Sequence, residues 1–278
     1  MDALLEGVQA LFLENIFVQV FTGVILLSWI WPTFRYYTKL GSVLFVAFLV
    51  LVVPIPYFVL RPRRPLNALV PGIVAYKFIE LMGVEYEIRG KENINIKNGG
   101  VAIINHQSAI DVILLARLLR VFRNIVPVVK KELIYAFPFG IGSYLVGVVF
   151  INRKNTASAK NVMAREAVAI NRDNLKLAIF PEGTRHDRDT LLPFKKGAFH
   201  VAVATQSVIQ PIVISKYHFL DHKKRRFGTG RIIVKVFPEI STKGLTKDDI
   251  NDLVDQCHRK MEAEFIALSE EVKPYCHL

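Results

Sequence analysis

The chain has 278 residues, 52% of them hydrophobic, and a formal net charge of +12, so it is long enough to bury one large core or two small ones. The charge is unevenly divided, since residues 1–60 carry a net charge of −1 and the remainder carries +13. No basic, aromatic-interleaved motif of a nucleic-acid-binding protein is present, which argues against nucleic acid as a partner. The two cysteines, Cys257 and Cys276, and the lack of any Asn-x-Ser/Thr sequence predict a reducing, cytosolic setting without a disulfide framework.

Two long apolar segments come first in the chain. Residues 15–34 and 40–60 contain no Asp, Glu, Lys or Arg, and each is about the 20 residues that a helix needs to cross a bilayer. The first 34 residues contain no Lys or Arg, unlike a secretory signal, so we predict that both segments are retained as an anchor. The short link RYYTK, residues 35–39, predicts a hairpin that crosses the membrane twice. Pro54 and Pro56 equally allow a hairpin that dips into one leaflet.

A basic, proline-punctuated linker follows the apolar segments. Residues 61–64 contain three arginines, which by the positive-inside rule predicts a cytosolic position for everything after them. The chain is thereby divided into a membrane-anchoring segment with its linker, residues 1–64, and a second domain, residues 65–278. A second basic run, HKKRRF at 222–227, is predicted to be a solvated loop, with contact to an anionic membrane surface as the alternative.

Beyond the linker, short β-rich runs alternate with helical stretches. This alternation is typical of an α/β domain with a mostly parallel sheet that is covered by helices. On the last helix, Cys257 falls on an apolar stripe and is predicted to pack in the core. The predicted strands are Val84–Arg89, Val101–Asn105, Ile125–Val129, Val148–Asn152, Leu175–Phe180, Val208–Ile214 and Arg231–Phe237. The predicted helices are 109–122, 157–172, 197–205 and 247–268.

The sequence NHQSAID, residues 105–111, lies between a predicted strand and a predicted helix. A neutral imidazole is available at His106 near pH 7, and a carboxylate such as Asp111 on its other nitrogen would fix the tautomer. On one continuous helix, a spacing of five residues would point the two side chains apart. Across a turn it need not. The alternative is local capping, with Ser108 as the N-cap and Asp111 in the first helical turn. No G-x-S-x-G sequence surrounds Ser108, so our hypothesis is that the substrate supplies a hydroxyl that His106 deprotonates.

The sequence FPEGTR, residues 180–185, directly follows another predicted strand. Gly183 permits a positive φ or a close backbone approach, and Arg185 offers a planar fork that suits phosphate. Glu182 is predicted to pair with an arginine and to hold the turn. For each basic residue here, the alternative is an ordinary surface charge. Three further basic side chains are candidates for the same anion: Arg153, Lys195 and Lys196.

Motifs for common cofactors and metals are missing from the sequence. There is no G-x-x-x-x-G-K-[ST] loop and no H-E-x-x-H, and neither G-x-G triplet, at 140–142 or at 228–230, is followed by the third glycine. The other histidines show no ligand spacing and are predicted to be structural or solvent-facing, so no metal site is predicted. They are His186, His200, His218, His222 and His258.

Four sequence blocks, taken in the order in which they occur in the chain, resemble those of the glycerophospholipid acyltransferase superfamily. They are most similar to those of the 1-acylglycerol-3-phosphate (lysophosphatidate) acyltransferases. The blocks are NHQSAID at 105–111, GVVFINR at 147–153, FPEGTR at 180–185 with LLPFKKGAF after it, and QPIVIS at 210–215. The resemblance covers most of the chain from about residue 60. Two positions depart from the family pattern: His186 stands where a small polar residue is usual, and the fourth block lacks a second proline.

The resemblance implies a fold and a set of site residues. The expected fold is the acyltransferase α/β domain, preceded here by the two-helix anchor. His106 and Asp111 would be the catalytic pair, and the fourth block would be associated with the acyl donor. The residues assigned in this way to the glycerol-phosphate substrate are Arg153, Glu182, Gly183, Thr184 and Arg185, and Lys195 is added as a further candidate.

The resemblance also implies a reaction. A fatty acyl group would move from acyl-CoA, a co-substrate rather than a tightly bound cofactor, to the sn-2 hydroxyl of lysophosphatidate. The product, phosphatidate, would enter phospholipid and triacylglycerol synthesis at the endoplasmic reticulum membrane, with membrane lipids as the other partners. The alternatives are glycerol 3-phosphate or another lysophospholipid as acceptor, or a non-catalytic lipid-binding relative. The Thr184–Arg185 ending favours lysophosphatidate, and the intact His106–Asp111 pair argues against a non-catalytic protein.

Overall fold

The computed structural model describes residues 15–27, 30–152, 162–163, 166 and 168–278. The helices are α1 (Asn15–Leu27), α2 (Pro32–Val52), α3 (Ile55–Leu60), α4 (Leu69–Leu81), α5 (Asp111–Phe122), α6 (Phe139–Leu145), α7 (Gly197–Thr205) and α8 (Ile250–Val272). The strands are β1 (Val84–Arg89), β2 (Gly100–Ile104), β3 (Ile125–Lys130), β4 (Val149–Ile151), β5 (Lys176–Ile179), β6 (Val208–Ile214), β7 (Leu220–Asp221), β8 (Arg226–Phe227), β9 (Gly230–Val236) and β10 (Ile240–Ser241). The described residues between 162 and 172 are also helical.

The main sheet is mostly parallel, as predicted. Its strands follow the order β1-β9-β6-β2-β5-β3-β4, and among the described strands of this sheet only the β6–β9 and β6–β10 pairs are antiparallel. The central strand β2 is fully buried and pairs in parallel with β5 and β6. Because the carboxyl ends of parallel strands share one edge of a sheet, the loops after β2, β5 and β6 meet there.

Helices cover both faces of this sheet. Ala102 and Ile104 of β2 belong to a core cluster shared with α2, α4 and α5. The alternate residues, Val101 and Ile103, face a second cluster built with α7 and α8. This alternation follows from the two-residue period of a strand. The prediction for Cys257 is confirmed, since it is buried in the second cluster and burial raises its pKa to about 12.

Every predicted strand is present, with each end shifted by at most one residue. The helices α4 and α6 were not predicted, because both contain glycines that are typical of turns. The structure gives Gly72 of α4 a packing role: an added Cβ would lie 2.6 Å from Cβ of Ala116 on α5. The predicted helix 157–172 lies partly outside the described residues, and the last helix begins at Ile250 and continues to Val272.

The predicted turn at residues 35–39 is wrong, and the two-helix hairpin is not confirmed. Helix α2 runs without interruption through this link, and Thr38 Oγ1 donates to the carbonyl of Phe34 at 3.0 Å. No glycine or proline interrupts the link, and Pro32 begins the helix three residues earlier. The break comes at Val53–Pro54 instead, before α3. By length and composition, the helical stretch Pro32–Leu60, 29 residues long, could cross a membrane.

The basic run 222–227 forms the tip and second strand of a β7–β8 hairpin that packs on the first turns of α2. Its residues 222–226 are exposed, as predicted for a solvated loop. The Nζ atom of Lys39 on α2 donates at 3.0 Å to the carbonyl of Gly228, just after β8, and at 3.0 Å to that of Met82. The guanidinium of Arg225 lies 5.8 Å from the centroid of the Tyr37 ring. Helix α2 is therefore attached to the α/β domain through this hairpin.

Candidate active site

The loop after β2 brings His106 to the carboxyl edge of the sheet. The preceding residue, Asn105, is buried, and its side chain makes two hydrogen bonds to the main chain of β6. Asn105 Nδ2 donates to the carbonyl of Ile214 at 2.9 Å, and Asn105 Oδ1 accepts from the Ile214 amide at 2.8 Å. This pair fixes the end of β2 and thereby the direction in which His106 leaves the sheet.

The structure brings His106 and Asp111 together. Nδ1 of His106 lies 2.7 Å from Oδ2 of Asp111. The Asp111 side chain is 1% exposed, whereas that of His106 is 21% exposed. The imidazole also stacks on Phe180, with ring centroids 3.9 Å apart. With Nδ1 held by the carboxylate, Nε2 is the ring nitrogen left to take a proton from a substrate.

Asp111 is held by three further hydrogen bonds. Its Oδ2 accepts the amides of Gln107 at 2.8 Å and Ser108 at 3.2 Å, and its Oδ1 accepts the hydroxyl of Tyr217 at 2.8 Å. Burial, followed by the neighbouring Asp111 charge, raises the pKa of Tyr217 well above its ordinary value, so its phenol stays protonated and donates. These bonds offset the cost of burying the carboxylate and fix its position beside His106.

Ser108 does not act as the predicted N-cap. Helix α5 begins at Asp111, the residue before it is Ile110, and no side chain caps the helix there. The bond that Ser108 Oγ accepts from the Ile110 amide is long, 3.4 Å. The Asp111 carboxylate itself takes the amides that precede the helix, so the turn needs no serine cap.

The Glu182 carboxylate lies next to the main chain of His106. The prediction that Glu182 pairs with an arginine is wrong. The side chain is fully buried and pairs with His186 Nε2. Its Oε1 accepts the His106 amide at 2.8 Å, and its Oε2 accepts the Leu192 amide at 2.8 Å. The amide of His186 also donates to the carbonyl of His106 at 3.3 Å. Glu182 therefore joins the FPEGTR turn to the main chain of the candidate base.

The end of the FPEGTR turn, from Gly183 onward, faces outward. Gly183 has the predicted positive φ, +75°, and a Cβ added there would lie 2.6 Å from Nζ of Lys195. The side chain of Lys195 thus lies across the turn. Thr184, Arg185 and Lys195 are all exposed, and no carboxylate in the described part of the chain pairs with Arg185. Two cationic side chains are therefore available to an anion close to His106.

Arg153 lies outside the described residues, so its assignment stays a prediction. Two further contributors to the site, Gln107 and Tyr217, were not predicted from the sequence. The Gln107 side chain donates to the carbonyl of Ser215 at 3.0 Å and accepts the Tyr217 amide at 3.1 Å. Tyr217 itself contacts Asp111 from far along the chain, without a spacing signal. For His186, which pairs with Glu182, the departure from the family pattern was the sequence feature that indicated a role in the site.

A His–Asp pair at the edge of a mostly parallel sheet, with an exposed arginine on the neighbouring turn, is an arrangement suited to general-base catalysis on a substrate that carries an anion. The acyltransferase family model matches residues 85–215, which include both motifs. The chain is 36% identical over 245 residues to human 1-acyl-sn-glycerol-3-phosphate acyltransferase alpha, covering 86% of this chain and 84% of the relative. It is 40% identical over 205 residues to the human beta enzyme, covering 73% of each chain.

The chain belongs to the 1-acyl-sn-glycerol-3-phosphate acyltransferase family. The fold agrees with this assignment, since the crystal structure of the acyltransferase PlsC from Thermotoga maritima superposes with a TM-score of 0.63. That match covers 84% of this chain and 98% of PlsC at 21% identity. The predicted family and α/β fold are thereby confirmed.

Proposed function

We propose that the protein transfers a fatty acyl group from acyl-CoA to the sn-2 hydroxyl of lysophosphatidate, which gives phosphatidate. The observation that carries this proposal is the His106–Asp111 pair, whose Nδ1–Oδ2 bond of 2.7 Å leaves Nε2 of the imidazole for a substrate hydroxyl. Arg185, exposed on the neighbouring turn, supplies positive charge for a phosphate. The human relatives are named for the same acceptor, 1-acyl-sn-glycerol 3-phosphate.

In this mechanism, His106 Nε2 takes the proton of the acceptor hydroxyl as its oxygen bonds to the carbonyl carbon of the thioester. Asp111 stabilises the imidazolium that forms. Collapse of the tetrahedral intermediate breaks the carbon–sulfur bond, and the proton passes from His106 to the departing coenzyme A thiolate. The enzyme itself forms no covalent bond to the acyl group.

The proposal is tested by offering purified protein a labelled acyl-CoA with lysophosphatidate, glycerol 3-phosphate or lysophosphatidylcholine. We expect phosphatidate from lysophosphatidate and little product from the other two. Acyl groups carried on acyl carrier protein serve as the competing donor. Transfer to another acceptor, or from the carrier protein alone, would contradict the proposed substrates. Lipid binding without any transfer would favour a non-catalytic protein.

Replacing Arg185 with alanine should raise KM for lysophosphatidate about 10- to 100-fold, because a charge-assisted bond to phosphate is worth about 1.5–3 kcal/mol. The matched control is Arg188→Ala, three residues further along the same exposed loop. Steady-state kinetics with varied lysophosphatidate measure the effect. Equal KM values for Arg185→Ala and Arg188→Ala would remove Arg185 from the phosphate site.

An apolar cavity between α2, α4, α5 and α6 supports binding of an acyl chain. Ser143 contributes the one polar side chain among its described lining residues. Val112 and Ile113, which line the cavity, directly follow Asp111, so the cavity reaches the first turn of α5. An apolar, partly enclosed space beside the reacting groups is the environment that a fatty acyl chain requires.

The substitution Ala47→Phe on α2 should shift the preferred acyl donor to a shorter chain, because the phenyl ring would fill part of this cavity. The measurement is the ratio of kcat/KM for donors of 16 and 8 carbons. Leu44→Phe, at an exposed position of the same helix, is the control. An unchanged ratio in Ala47→Phe would show that the acyl chain binds elsewhere.

The proposal includes attachment to the endoplasmic reticulum membrane, with the α/β domain facing the cytosol. Support comes from the long apolar stretch Pro32–Leu60 and from exposed apolar side chains of α1, among them Phe17 at 74% and Phe21 at 61%. The substitution Gly244→Asn creates the acceptor sequence Asn-Leu-Thr in an exposed turn whose φ of +78° asparagine tolerates. Glycosylation of this variant in cells would contradict the cytosolic orientation.

A further inference from the structure

A chain of polar contacts joins helix α2 to the carboxylate of the site. The hydroxyl of Tyr36 lies 2.7 Å from Nδ1 of His222, at the tip of the β7–β8 hairpin. Nε2 of His222 lies 3.3 Å from Oγ of Ser108. The amide of Ser108 in turn donates to Oδ2 of Asp111 at 3.2 Å. We call the first two contacts the Tyr36–His222–Ser108 bridge.

The chemistry of His222 suits such a bridge. Although the residue as a whole is exposed, desolvation of its ring between Tyr36 and Ser108, followed by the charge of Arg185, lowers the pKa of His222, so the ring is neutral at pH 7. A neutral imidazole has one donor and one acceptor nitrogen, which match two hydroxyl groups that can each donate or accept. The ring also packs edge-on against Tyr36, with centroids 5.9 Å apart. Both nitrogens are engaged, so the ring supports the turn rather than offering an open position to a ligand.

We infer that His222 is a positioning residue for the turn at Gln107–Ser108, through which α2 influences the Asp111 carboxylate. This inference rests on the proposed function, because it assigns Asp111 to the catalytic pair. The bridge holds the Ser108 side chain while the Ser108 amide donates to Asp111, so its loss would loosen the two amides that orient the carboxylate. Helix α2 then contributes to the geometry of the site in addition to being apolar enough for a membrane.

The kinetic test compares His222→Phe, Tyr36→Phe, the double variant and, as control, Tyr37→Phe on the same helix. We expect kcat for acyl transfer to fall about tenfold in His222→Phe and less in Tyr36→Phe, with KM for lysophosphatidate nearly unchanged. The double variant should be no slower than His222→Phe, because both substitutions break one bridge. The variant His222→Gln, whose amide can donate to Ser108, should recover much of the loss.

A second measurement does not depend on activity. Hydrogen exchange of the Gln107 and Ser108 amides should be faster in His222→Phe and Tyr36→Phe than in Tyr37→Phe or the wild type. Unchanged exchange would overturn the inference, as would wild-type kcat in His222→Phe, a rise in KM alone, or multiplied losses in the double variant. If the wild type transferred no acyl group, the proposed function would fail, while the exchange rates would still decide the role of the bridge.

Discussion

Replacing His106 with alanine is expected to lower kcat about 10²- to 10⁴-fold, which is the usual contribution of a general base. The reason lies in the geometry: Nδ1 is bonded to Asp111 at 2.7 Å, and the partly exposed ring presents its other nitrogen to the solvent side. Alanine removes this nitrogen and leaves water as the base. The measurement is the rate of phosphatidate formation at saturating acyl-CoA and lysophosphatidate, per mole of folded protein.

The control for this variant is His200→Ala, which removes an exposed imidazole from α7. It should keep wild-type activity. Binding of lysophosphatidate to the His106→Ala protein should also persist, because Arg185 and Lys195 remain. Near-normal turnover in His106→Ala would exclude this residue as the base and, with it, the proposed mechanism.

The substitution Asp111→Asn is expected to cost a similar factor, about 10²- to 10⁴-fold in kcat, while the protein stays folded. An asparagine oxygen in the place of Oδ2 can still accept the amides of Gln107 and Ser108. The asparagine NH2 group would then face Tyr217, whose hydroxyl oxygen can accept. The local hydrogen bonds are therefore largely kept, and the negative charge that stabilises the imidazolium is lost.

The matched control for Asp111→Asn is Asp255→Asn, an exposed position on α8. Thermal unfolding of both variants checks that the loss of turnover does not come from loss of structure. A lipid-binding protein should tolerate Asp111→Asn, because its fold and surface are unchanged. Unchanged lysophosphatidate binding by this variant, together with no acyl transfer by the wild type, would thus favour the non-catalytic alternative, whereas full turnover of Asp111→Asn would exclude Asp111 from the mechanism.

The sequence predicted the strands well because most are apolar runs that end at turn residues. The strand β2, for example, contains five buried residues and is followed by Asn105. Helix α4 was missed because Pro71 and Gly72 are typical of turns, and the need for a glycine there arises only when α5 packs against it. The turn predicted at residues 35–39 failed for the opposite reason: charged residues between two apolar segments can continue a helix as readily as end it.

The site was predictable where its parts are close in sequence. The spacing of His106 and Asp111 suggested the pair, and the glycine in FPEGTR suggested the positive φ that Gly183 adopts. The role of Glu182 was not predictable, because its partner atom is a main-chain amide 76 positions away. Tyr217 contacts Asp111 across 106 positions, and only the folded sheet brings them together.

The buried Glu182 carboxylate has a consequence for the choice of acceptor. Its Oε1 accepts the His106 amide at 2.8 Å from within the same turn that presents Arg185, so a buried hydrogen bond holds the two motifs together. The separation between His106, the proton acceptor, and the backbone of Arg185 is then set by the protein and not by the ligand. In the proposed reaction, this fixed separation would favour acceptors whose hydroxyl and anionic group lie a set number of bonds apart, whatever fatty chain they carry.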